Sequence, residues 1–349
     1  MKKLSEISWN VTEAEYRKDP ALSYSTLSKY ERLGFNGLPN LFDKIETPSL
    51  TFGSAVDSLI TGGRKEFDER FIVINMSKIP DEIKSMVKEI YNANLSDFTC
   101  SGFNNVSDDE LLKTLNEHKY RLNWKDATRV KVLREQGSEY YNFLNIAKDK
   151  TILTQEDYND VLKCVNVLKT SPQTKWYFSD DSDVDGYYQL KFKWTFNGVT
   201  YRIMADRIIV DHKNKIVYPI DLKTSSHYEW DFNVSFIQYS YMIQARLYYR
   251  VIKAVMEADP YFKDFKLDLF RFIVVNRRSL IPLVWKFPYT NYLGNLIDSD
   301  RNVYRDPFEI GEELKYYLDN KPELPKGIDR VKDNILTCLE PYFLTKPVI

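Results

Sequence analysis

The chain has 349 residues, 43% hydrophobic and 28% charged with a net charge of −1, which excludes a disordered or polybasic protein and allows a large buried core. Near-neutral charge still permits a local cationic groove. Its three cysteines, Cys100, Cys164 and Cys338, are too scattered for a disulfide framework, zinc spacing or a four-cysteine iron–sulfur cluster. The first ten residues lack an apolar leader and no stretch is long enough for a bilayer, so the expectation is a soluble cytoplasmic protein without a membrane partner.

In chain order, residues 22–33 read as a short helix entered through a Ser/Thr cap, and a second helix opens near Leu50 and carries Gly53-Ser-Ala-Val-Asp57. The strand-like Phe71–Ile74 precedes a helix at about 80–93. Helical, charged patterns follow over Asp108–His118, Lys125–Gln136, Ser138–Ala147 and Thr154–Leu168. The period then changes to two: Leu190, Phe192, Trp194 and Phe196 alternate with Gln189, Lys191, Lys193 and Thr195. Asn197-Gly198 is a hairpin turn signal. A three-stranded meander is therefore expected over 187–223, then a long helix over Asp231–Glu257, strands over Leu269–Asn276 and Leu280–Phe287, and a C-terminal helix over Asn291–Asp319 before a Pro-punctuated tail. The fold class is α/β in the α+β sense, a mixed sheet flanked by helices. The divisions are 1–100, an N-terminal helical part; 101–175, a helical insertion; 176–290, the core sheet and helix; and 291–349, a C-terminal helix and tail.

Chemistry concentrates in the second hairpin of the meander. Val199–Val210 and Lys215–Lys223 flank Asp211-His-Lys-Asn214, and symmetric closure pairs Val210 with Lys215 and sets Asp206 opposite Pro219. Asp206, Asp221 and Lys223 then share a face, with the two acids diagonal neighbours roughly 7–8 Å apart. Two acids and a lysine there are the minimum equipment for metal-dependent phosphodiester hydrolysis. An acid two residues before a lysine is common here, as at Glu82/Lys84 and Asp264/Lys266; the second acid in register is what distinguishes Asp221/Lys223. On the following helix Tyr241, Gln244 and Tyr248 share one face. Such a stripe is ordinarily core, but a buried amide at Gln244 needs partners. Lys191, Lys193, Arg202 and Arg207, on or beside the meander, could line a phosphate track, or each could be an ordinary solvated cation.

Taken in order, Gly53-Ser-Ala-Val-Asp57, Asp206, Asp221-Leu222-Lys223 and Gln244-x-x-x-Tyr248 resemble the RecB-like branch of the PD-(D/E)XK nucleases, nearest to the phage exonuclease VIII (RecE-like) group. The resemblance spans roughly residues 20–290. It implies a restriction-endonuclease-like core and a Mg²⁺-dependent exonuclease, with Mn²⁺ as a substitute, acting on linear duplex ends in phage-type recombination or replication. Asp206, Asp221 and the Leu222 carbonyl would be metal ligands, joined by Asp57 where many relatives place histidine. Lys223 would position and activate the attacking water, and Gln244 and Tyr248 would support the site or contact a phosphate; Tyr241, outside the resemblance, is a candidate DNA contact. Expected partners are DNA and a single-strand annealing protein, and the group includes ring-shaped homo-oligomers. The competing expectation is a catalytically silent nucleic-acid-binding scaffold on the same fold; a third is a non-nuclease whose acids coincide by chance.

Overall fold

A computed structural model describes residues 2–43, 47–75, 79–95, 102–179 and 183–320. Cys100, Cys338 and the tail beyond residue 320 lie outside the described residues. The chain opens with α1 (Glu13–Lys18), α2 (Tyr24–Leu33), α3 (Pro48–Thr61) and α4 (Gly63–Arg70). Strand β1 (Phe71–Ile74) leads to α5 (Asp81–Ala93), α6 (Asp108–Glu117) and α7 (Asp126–Ala147); β2 (Thr151–Thr154) leads to α8 (Gln155–Thr170). The meander is β3 (Val184–Phe196), β4 (Val199–Asp211) and β5 (Ile216–Thr224). After it come α9 (Phe232–Gln238), α10 (Tyr241–Glu257), β6 (Lys266–Leu267), β7 (Arg271–Val275) and β8 (Leu283–Lys286). A small ladder of β9 (Leu296–Ile297) with β10 (Val303–Tyr304) precedes α11 (Pro307–Asn320).

The sheet is mixed, as expected, in the order β3-β4-β5-β7-β8, with β6 paired to the start of β5. Strand β5 runs parallel to β6 and β7, while the meander and β7–β8 are antiparallel. One face is buried under α2, α10 and α11 through residues such as Leu27, Ile243, Leu247 and Ile310. The other is buried under α3 and α8 through Phe52, Ala55, Val161 and Leu168. A third core joins α5, α6 and α7. Both sheet faces being covered explains why β4 and β7 are buried almost throughout rather than at alternate positions.

Three stretches depart from the sequence reading. Residues 126–147 form one helix, not two parted at Gly137. That glycine serves close packing: a Cβ there would lie 2.6 Å from Val87 Cγ2 of α5. Conversely, the single helix expected over Asp231–Glu257 is two, because Ser240 adopts a left-handed φ of +53° between α9 and α10. Tyr24 Oη donates to the Tyr239 carbonyl at 2.5 Å, occupying an acceptor at the break. Within Asn291–Asp319 only α11 is helical; Asp298 accepts from the backbone N–H of Asp300 and Asn302 and folds the preceding stretch into a turn.

Helix α10 is anchored on its far side by Arg246, which is fully buried. Its Nη2 donates to the Tyr292 carbonyl at 2.9 Å, the Gly294 carbonyl at 2.6 Å and the Asp306 carboxylate. Among the described residues no helix is long and apolar enough to cross a membrane.

Candidate active site

The first hairpin closes on Asn197 and Gly198, both at positive φ, as the turn chemistry requires. The second closes one residue later than symmetric reading suggests. Asp211 pairs with Ile216 and Val210 with Val217, leaving a loop of His212–Lys215. Asp211 accepts from the backbone and side chain of Asn214, and Lys215 takes φ +53° to complete the turn. The register therefore moves by two: Ile208, not Asp206, faces Pro219, and one step beyond the last bonded pair, Arg207–Ile220, Asp206 comes level with Asp221 itself. A shift of two preserves the pleat over the paired residues and brings the acids level along the strands instead of diagonal.

Strands β3 and β4 share an irregularity at this level. Tyr187 and Leu190, an odd number of residues apart, both pack into the core under α10, and so do Ala205 and Ile208. Strict alternation forbids this. Each strand loses one beat at Gln189 and Asp206, whose pair drops out of the ladder although Tyr188–Arg207 and Leu190–Ala205 are kept. Gln189 carries the strain, with φ +52° in mid-strand. Its Nε2 donates to Asp57 Oδ2 on α3 at 2.9 Å. Asp206 Oδ2 accepts the Leu222 N–H at 2.9 Å.

Asp221 is 2% exposed and braced from two sides. Lys223 Nζ lies 2.7 Å from its Oδ2, and Gln244 Nε2 donates to its Oδ1 at 2.6 Å. The Gln244 Oε1 atom is buried without a hydrogen-bond partner among the described residues. The break at Ser240 sets Tyr241 at the first turn of α10, where the Lys223 ammonium stands 4.5 Å over its ring. Tyr241 stacks in turn on Phe232 and Phe272, so it is core and site at once. Tyr248, also buried, packs edge-on to Phe270 within electrostatic reach of both acids. Helix α3 approaches through Gly53, where a Cβ would sit 2.9 Å from Thr224 Oγ1 at the end of β5. Gly53→Ala is expected to cost about 1 kcal/mol of stability through this contact, and Thr224→Ala in the same chain to recover it. Urea denaturation of the two variants reads this out; equal losses would sever Gly53 from Thr224.

Electrostatically the site is over-supplied with negative charge. Burial, then Asp221 and Asp57, push the Asp206 carboxyl well above the usual carboxylate range, against Lys223 and the Leu222 N–H. Burial likewise lifts Asp57 to about 6, opposed by Arg70 and reinforced by Glu66 and Asp221. Burial disfavours the Lys223 ammonium, but Asp221, Tyr241 and Asp206 outweigh it and hold its pKa above the ordinary value. Among the described residues no three His, Cys, Asp or Glu side chains form a ready-made metal cage. The donors present are nevertheless all oxygen, and like charges repel in need of a counter-cation, which suits a hard divalent ion.

The four cations proposed as a phosphate track are placed differently. Arg202 is buried, donating to the Ala21 carbonyl at 2.9 Å and to the Tyr16 carbonyl, with its guanidinium 4.6 Å over the Tyr16 ring. Arg207 is buried on the Tyr188 ring and donates to the Tyr177 carbonyl at 3.1 Å. Lys193 pairs with Asp19 at 2.6 Å and covers Trp9. Lys191 is half-buried, and its carbonyl accepts the Trp9 N–H. Arg202, Arg207 and Lys193 are thus occupied in holding the N-terminal segment and the sheet edge. Arg202→Ala is expected to destabilise the fold by about 2–3 kcal/mol. It should leave the salt dependence of any DNA binding unchanged; a shallower salt slope would return Arg202 to the phosphate track.

Gln189, bonded to Asp57, and Tyr24, against the Tyr241 ring, belong to the site and were not singled out in sequence; Tyr16 lies further back, under Arg202. Burial raises the Tyr16 hydroxyl to about 12, with Arg202 opposing and Asp206 among the charges it feels; Tyr24 is raised by burial beside Lys223 and Asp221. No sequence signal marks these tyrosines. Gln189 had one, the polar position level with an acid on the next strand.

No family model matches the sequence, and no curated protein matches it. Among solved structures, the chain is similar to a crystal structure from Eubacterium rectale described as a "Putative exonuclease". The likeness covers 93% of this chain and 88% of that one, at 13% identity and a TM-score of 0.39.

Proposed function

We propose that this chain is a metal-dependent deoxyribonuclease of the RecB-like PD-(D/E)XK type, acting from the ends of linear duplex DNA. The observation that carries the reading is the Asp221–Lys223 ion pair, braced by Gln244 and joined by Asp206 through the Leu222 N–H. Asp206, Asp221 and the Leu222 carbonyl would hold Mg²⁺ or Mn²⁺, with Asp57 on α3 behind them. When bound, the ion would lower the pKa of water and stabilise charge on the phosphate. Lys223 would orient that water and share the developing charge, Gln244 would keep the Asp221 carboxylate fixed, and Tyr241 would hold the ammonium in place. The end-acting preference derives from the motif resemblance alone.

A silent nucleic-acid-binding scaffold draws on one opposing observation: Asp221 Oδ1 already accepts from Gln244, and Lys223 Nζ lies 2.7 Å from Oδ2, which has no hydrogen bond among the described residues. Digestion of matched linear and covalently closed circular DNA with Mg²⁺ separates the readings. Loss of the linear form alone is the expected result. Cutting of circles would make the enzyme an endonuclease, and no cutting with Mg²⁺ or Mn²⁺ would leave the scaffold.

A further inference from the structure

Immediately past the candidate site, β5 continues into a rigid bracket that the proposed chemistry does not use. Asn276, at the end of the parallel strand β7, donates its Nδ2 to the carbonyls of Ser225 at 3.0 Å, Ser226 at 3.2 Å and His227 at 3.1 Å. Glu229 is fully buried. Its carboxylate accepts the N–H groups of Asn276 at 2.9 Å and Ile281 at 3.0 Å and the Ser279 hydroxyl, while its carbonyl accepts Trp285 Nε1 at 2.9 Å. A carboxylate removed from water is costly, and here its acceptor capacity goes into locking two loops together.

What the bracket presents outward is aromatic, with two arginines on the loop beside it. Tyr228 and Trp230 stack with centroids 4.7 Å apart and planes 13° apart, yet are 47% and 49% exposed. Rings that could be buried are instead held parallel in water. Val234 and Ile237 of α9, also exposed, continue the apolar surface. On the facing loop Arg277 and Arg278 are exposed; Arg277 pairs with Asp157, whereas Arg278 makes no ion pair among the described residues. Glu229 is turned inward, and Asp231 is the exposed acid of this turn.

We propose that the Tyr228–Trp230 stack is a platform for unpaired bases of a nucleic-acid strand at the mouth of the site, with Arg278 toward the adjoining phosphate. This rests on the nuclease reading for its substrate class and adds where a single strand would lie. Parallel exposed rings suit the flat faces of bases, the Arg278 guanidinium suits a phosphate, and the platform begins five residues after Lys223, in the loop that follows β5. A protein partner or a second copy would use the same rings as a plain apolar contact, without discriminating bases.

The test separates this from hydrolysis by omitting metal. In EDTA, fluorescence anisotropy compares the full chain on a labelled oligothymidylate and on an abasic oligomer of equal length. The wild type should bind the thymidylate at least about ten-fold more tightly. Tyr228→Ala/Trp230→Ala should fall to the abasic level, Trp230→Phe should keep most of the preference, and circular dichroism checks that both remain folded. Equal binding of both oligomers by the wild type, or an undiminished preference in the double variant, overturns the platform whether or not the protein cuts DNA. So would a loss of self-association on sedimentation in place of a loss of base preference. Base-dependent binding by a protein that never cuts would leave the platform standing and remove the nuclease reading alone.

Discussion

Lys223→Met is expected to lower DNA hydrolysis by about 10²–10⁴-fold while increasing the stabilisation gained from Mg²⁺. The two effects share one cause. Lys223 is a cation set directly against Asp221, and methionine keeps an apolar stem over Tyr241 without the charge. Without metal, the buried Asp221 carboxylate loses its counter-charge, and the cost should be about 3–5 kcal/mol. Mg²⁺ then supplies the missing positive charge, so the added cation should raise the melting temperature more in the variant than in the wild type. A purely structural lysine would give the stability loss without the catalytic one. Near-normal hydrolysis by a folded variant would end the assignment of Lys223 to the chemistry.

Asp206→Asn should act in the opposite sense on stability. Carboxylates whose pKa is raised on folding bind more protons in the native than in the unfolded state, so metal-free stability falls as pH rises through the gap. For Asp57 the gap runs from 3.8 to about 6, and Asp206 extends it upward. The wild type in EDTA should therefore lose stability steadily above about pH 4, and Mg²⁺ should restore it at neutral pH. Asparagine removes one of the repelling charges while its amide oxygen can still accept the Leu222 N–H. Its metal-free melting temperature at pH 7 should rise by about 3–6 °C, its pH slope should flatten, and its response to Mg²⁺ and its DNA hydrolysis should both disappear. Thermal melts at several pH values with EDTA or Mg²⁺ read all of this. A flat wild-type profile between pH 5 and 7, or an equal response to Mg²⁺ in both proteins, would count decisively against a carboxylate metal site.

The acids were legible because a hairpin announces itself locally: β-branched flanks, a polar turn and period two. The register was not, since Asp211-His-Lys-Asn214 closes equally well on paper, and only a left-handed Lys215 selects the longer loop. The shared break at Gln189 and Asp206 was hidden because Tyr187 and Tyr188 are both aromatic, and either can be taken as the inward side chain. Gly137 and Ser240 misled in opposite directions. A glycine reads as a helix end but here admits Val87, and a serine between polar and aromatic neighbours gives no hint of a left-handed turn. The basic residues show the limit most plainly. Arg202 and Arg207 have the composition of a phosphate track, and whether a guanidinium faces solvent or a carbonyl depends on chain that is distant in sequence.

The anchoring of α10 by Arg246 reaches beyond packing. That guanidinium has no water to fall back on, and its acceptors come from Tyr292, Gly294 and Asp306. Peeling the 292–306 stretch away would strand a cation in the core beneath the helix that carries Gln244 and Tyr248. The C-terminal segment and the floor of the site should therefore open together or not at all. In native-state hydrogen exchange, the amides of α10 and α11 would then exchange as one cooperative unit, and a protease nick in the β9–β10 turn would be felt at Asp221.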